Sequence, residues 1–114
     1  MKIIKVSTLA LLALSLMAFR PYTEIPHKIE MIPGDAGAGQ TVTIRVEMTG
    51  VVAEDTPVTI SAASSFWSSM PTQVTVDEGE DDVTFQATIA TSPTGNNRVT
   101  ASANGSSVFF DVPL

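Results

Sequence analysis

Five carboxylates crowd one run of six residues, Asp77, Glu78, Glu80, Asp81 and Asp82 around Gly79. Hard cations such as Ca²⁺ take six to eight oxygen ligands, and a turn this rich in carboxylates can supply several of them. The run is therefore a candidate calcium site. Its spacing matches no EF-hand loop, because Gly79 stands third and no Glu follows at the twelfth position. The competing expectation is a solvated turn whose charges deter edge-to-edge pairing between copies. No other cofactor is implied.

Other chemistry is thinly provided for. The chain has no Cys and a single His, His27, set between Pro26 and Pro33. Thiolate metal sites, cysteine nucleophiles and disulfides are excluded, and a zinc site lacks its usual donors. A Ser-His-Asp relay has no well-placed base. The carboxylates gather at one turn rather than at two sides of a cleft, as paired acid–base work requires. GDAGAGQ (residues 34–40) leads into a strand pattern rather than a helix, so its glycines read as a connection and not a phosphate loop. The expectation is a protein without catalysis.

Aromatic residues are the second resource. Ser61 to Ser69 (SAASSFWSS) holds Phe66 and the sole Trp, Trp67. Phe66 and Met70 are expected to plug one end of a core, whereas Trp67 and Phe109 are candidate contacts for a partner.

These residues must be carried by strands. Val42, Ile44, Val46 and Met48 alternate with Thr41, Thr43, Arg45 and Glu47 within Gln40 to Thr49. A period of two marks a strand with one face in a core and the other in water. Ile29 and Met31 sit in a proline-bounded edge strand, and Val58 and Ile60 mark a strand that Pro57 opens. Met70 to Ala90 reads as strand, acidic turn, strand. Pairing Val76 with Val83 and Val74 with Phe85 keeps the apolar residues on one face, so the two arms are expected to be neighbours in one sheet. Arg98 to Ala103 and Ser107 to Val112 flank Asn104-Gly105, the strongest short hairpin signal. A two-residue turn pairs Ala103 with Ser106, Ala101 with Val108 and Val99 with Phe110, and leaves Phe109 pointing outward. The sum is about seven short strands with frequent turn signals, the pattern of an all-β sandwich, with a small closed barrel as the competing architecture.

The series GQTVTIRVEMTG, TPVTISAASS, MPTQVTVDEGEDDVTFQATIA and NRVTASANGSS, taken in that order, resembles the bacterial immunoglobulin-like (Big-type, invasin/intimin-like) domains of extracellular proteins. The resemblance runs from about Ile29 to Leu114. It implies an immunoglobulin-like Greek-key β-sandwich serving as a spacer, adhesion or carbohydrate-contact module. At the central turn, Asp77-Glu78-Gly79 stands where such domains usually have Pro-Ala-Gly. Those domains usually recur in tandem, and this sequence shows no internal repeat.

Composition and leader suggest where the domain works. Lys2 and Lys5 precede the apolar run Leu9 to Leu14, and a cut after Ala18 fits a signal peptide covering residues 1–18. The uncharged run from Val6 to Phe19 is shorter than the ~20 residues that span a bilayer, so no stable membrane span is expected. From Phe19 onward four basic residues face twelve acidic ones. A nucleic-acid partner, which needs a clustered basic face, is excluded on that balance. The expectation is a secreted, extracellular or periplasmic domain that binds protein or carbohydrate at the cell exterior. The alternative is a structural subunit of a virion or surface filament, self-assembling through an arm at residues 19–33.

Overall fold

The computed structural model describes residues 23–113, and the expected leader, residues 1–18, lies outside them. Eight strands follow in order: β1 (Pro26–Ile32), β2 (Thr41–Met48), β3 (Thr56–Ala62), β4 (Trp67–Ser69), β5 (Gln73–Val76), β6 (Asp82–Ile89), β7 (Arg98–Ala103) and β8 (Ser106–Asp111). They form two antiparallel four-stranded sheets, ordered β1-β2-β6-β4 and β5-β3-β7-β8. With β5 set aside, the orders match the ABED and CFG sheets of an immunoglobulin sandwich, with β2 to β3 and β6 to β7 crossing between sheets. The fold is an all-β, Greek-key sandwich.

The inner faces supply the core. Val42, Ile44, Val46, Ala87 and Ile89 come from the first sheet and Val58, Ile60, Val76, Val99 and Ala101 from the second, all buried. Alternate residues of each strand therefore point into the gap between sheets, which is about 10 Å in such packings. Burying side chains of this size contributes about 1.5–3 kcal/mol each. Phe66 closes the core and is fully buried, its ring 5.5 Å from that of Trp67.

The β7–β8 hairpin has the register its sequence dictates. Ala103 pairs with Ser106, Ala101 with Val108 and Val99 with Phe110. Asn104 (φ 51°) and Gly105 (φ 83°) both take the positive φ that a type I′ turn requires.

The strands flanking the acidic turn do not pair as expected. β5 joins β3, with Val74 opposite Val58, whereas β6 lies between β2 and β4, with Val83 opposite Val46 and Phe85 opposite Ile44. The two arms belong to different sheets and face one another across the core. Period-two alternation fixes which face is buried but not which strand supplies the hydrogen bonds. Residues 77–81 form a link long enough to cross the gap. It is tied to the loop after β2 by the Val52 N–H donating to the Glu80 carbonyl (2.9 Å) and the Gly79 N–H donating to the Val52 carbonyl (3.0 Å). The Glu78 N–H donates to an Asp55 carboxylate oxygen (2.8 Å).

One strand more than expected edges the first sheet, and the proline-bounded strand edges its other side. The eighth strand, β4, falls in the irregular SAASSFWSS stretch; its three residues and its bulge leave no periodicity to read. At the other edge, Pro26–Ile32 is built into the first sheet beside β2. Its approach is pinned as well: Asn104 Nδ2 donates to the Glu24 carbonyl (2.8 Å), and Thr49 Oγ1 donates to the Glu24 carboxylate (2.6 Å). That part of the expected arm is an integral strand.

Candidate functional site

Outward-facing residues of the second sheet make an ordered surface. Because opposite residues of an antiparallel pair share a face, the register sets them in rows. Phe109, Thr100 and Ser61 form one row, and Ser107, Ser102, Thr59 and Gln73 the next. Asp111 and Arg98 flank the first row on one side. The result is a hydroxyl-rich face with one large apolar side chain, Phe109, which is 53% exposed.

Phe109 is held from above by a cation. The Arg98 guanidinium carbon lies 3.7 Å from the ring centroid, well within cation–π range. The same guanidinium grips Asp111, with Nε donating at 2.9 Å and Nη2 at 3.2 Å to the two carboxylate oxygens. Asp111 holds the planar fork, and the fork holds the ring. The hydrogen bond from Arg98 lowers the Asp111 pKa below its ordinary value, and the same bond raises that of Arg98. Phe109 stands outward as the hairpin register requires. The part played by Arg98 was not foreseen, although the same register sets it opposite Asp111 and diagonal to Phe109.

Trp67 belongs to a different setting. It is 3% exposed, packed on Phe66 and paired with Ile89, so its ring is part of the core and is not offered to a partner. Trp67, a candidate partner contact on the sequence, is turned inward by β4. The Trp67 Nε1–H is buried and finds no hydrogen-bond acceptor among the described residues. Beside it, a shallow groove of about 240 Å³ runs along Ala62, Ser64, Met70 and Pro71.

The five acidic residues are dispersed by the crossing. Asp82 opens β6 and accepts a hydrogen bond from Arg45 Nε at 2.8 Å. Arg45 also reaches Glu47 at 2.8 Å and Glu30 at 3.4 Å, and the bond to Asp82 is the main cause of its raised pKa. Asp82 is thereby committed to a stitch across β1, β2 and β6. Asp77, Glu78, Glu80 and Asp81 are spread along the exposed link. Among the described residues no three His, Cys, Asp or Glu side chains converge to hold a metal ion. Among the described residues, no helix is long and apolar enough to cross a membrane.

No family model, curated protein or solved structure matches the chain.

Proposed function

We propose that this sandwich is a non-catalytic, exported binding domain that engages a protein at the cell exterior through the outer face of β5-β3-β7-β8. The observation that carries the reading is Phe109: a half-exposed aromatic residue, fixed by Arg98, at the head of rows of hydroxyl groups. Buried aromatic and Arg anchors dominate protein interfaces, and surrounding polar groups provide a rim that excludes water. A protein fits better than a carbohydrate, because the guanidinium occupies a face of the ring on which a sugar would stack. The export half of the proposal rests on the leader pattern and on the likeness to Big-type extracellular domains.

The test is binding of the labelled domain to intact cells of the producing organism. Protease treatment of the cells is expected to abolish binding, and glycosidase treatment to leave it. Phe109→Ala is expected to weaken binding at least about tenfold. Binding that survives protease but not glycosidase overturns the protein partner, and full binding by Phe109→Ala overturns the site. Mass spectrometry of the natural protein is expected to find its N-terminus at Phe19, outside the cell.

A further inference from the structure

A sheet edge exposes unpaired main-chain groups, and soluble proteins blunt such edges with prolines, charges, bulges or short length. Three of the four edges here are blunted. β1 carries Pro26, Lys28 and Glu30, with a register shift between Pro26 and Lys28. β4 has three residues and a bulge. β5 has four residues, between Pro71 and the acidic link. β8 differs. Its six residues, SSVFFD, contain no Pro or Lys, its register with β7 is unbroken, and its one charge is neutralised by Arg98.

We infer that β8 is a docking strand for a second copy of this chain, joining two sandwiches edge to edge about a two-fold axis through Phe109. The free groups can be named. In a two-residue hairpin the closing pair, Ala103 and Ser106, is hydrogen-bonded, so β8 bonds to β7 through Ser106, Val108 and Phe110. The Val112 N–H donating to the Asn97 carbonyl at 3.1 Å continues that alternation. Ser107, Phe109 and Asp111 therefore turn their N–H and C=O groups away from β7; β1 of the other sheet lies against β8 without pairing to it, and among the described residues no strand pairs with that edge.

The strand is its own complement. With Phe109 opposite Phe109 of the other copy, Ser107 faces Asp111 and the three free residues of each copy exchange about six main-chain hydrogen bonds. On the inner face Val108 of one copy meets Phe110 of the other, which extends the apolar layer. On the outer face the two Phe109 rings adjoin, and no like charges stand directly opposite. Closed two-fold pairing consumes the edge and leaves no open strand for further growth. The net charge of −6 opposes association in general, but its densest part lies in the link before β6 rather than on β8. A contact of one strand from each copy is smaller than the ~1,000 Å² of a stable interface, so the pair is a weak one, with a dissociation constant on the order of 100 µM.

Sedimentation equilibrium of the purified protein from about 10 µM to 1 mM tests the inference across that range. The mass is expected to rise from monomer towards dimer and to stop there. Ser107→Pro removes an edge-facing N–H while sparing the bonds to β7, and Phe109→Lys sets two cations on the axis. Both are expected to remain monomeric, with melting temperatures near wild type at low concentration. A wild type that stays monomeric at 1 mM overturns the inference. So does growth beyond a dimer, or dimerisation of either variant at the wild-type concentration. Cell binding that persists well below the dissociation constant of the pair, where the wild type is monomeric, separates this dimer from the proposed partner site.

Discussion

The separation of β5 from β6 can be tested by crosslinking, because the chain has no cysteine to confuse the result. Thr59 and Gln73 are opposite one another on β3 and β5, both exposed on the outer face. Directly opposed residues have Cα atoms about 4.5–5.5 Å apart, inside the roughly 4.4–6.8 Å window of a disulfide. Thr59→Cys with Gln73→Cys should therefore oxidise readily. The bridge closes a loop of about 15 residues, for which chain entropy gives ~3 kcal/mol of stabilisation, less any strain. At about 4–8 °C per kcal/mol for a domain of this size, the oxidised variant should melt roughly 10–20 °C above its reduced form. The control pair is Thr75→Cys with Thr84→Cys, which a simple hairpin would place side by side. Here Thr75 is opposite Pro57 and Thr84 is opposite Arg45, on the outer faces of different sheets. Two outward side chains on sheets about 10 Å apart are beyond disulfide reach. Non-reducing mass spectrometry and melts with and without reductant read both pairs. A bridge in the control pair, with none in the first, would refute the topology.

Three more outcomes follow from the same structure. Phe66→Ala should cost about 3–5 kcal/mol in a denaturant titration, because the fully buried ring has no neighbouring chain free to fill the space. Asp111 has a lowered pKa, so its contribution to stability is present above the ordinary carboxylate value and lost as pH falls through the folded-state value; acid melts should show Asp111→Asn losing less stability than wild type over that window. Addition of millimolar Ca²⁺ should leave the melting midpoint unchanged, since among the described residues no three acidic side chains converge; a rise would support the calcium site.

How much was legible depended on the range of the interaction involved. The β7–β8 register follows from Asn104-Gly105 and the parity of Val99, Ala101 and Ala103, all local, and with it the outward aim of Phe109. The inward face of β2 was equally plain from Val42 to Met48. The partner of β5 was not, because Val74 and Val76 would bury equally well beside Val83 and Phe85 or beside Val58. The setting of Trp67 was open for a related reason. Three bulged residues carry no period, and only the pairing of β4 with β6 determines that the ring enters the core. Counting carboxylates likewise overlooked that Asp82 answers Arg45, 37 positions away.

The claim that Phe109 and its surroundings form the contact face is met most directly by comparing two exposed apolar residues. Val51 is 59% exposed and Phe109 53%, but Val51 lies in the loop after β2 and on none of the strands of the second sheet. Saturation binding of the labelled domain to intact cells should be weakened at least about tenfold by Phe109→Ala and left unchanged by Val51→Ala. Equal affinity in the two variants, with both folded, would contradict the account.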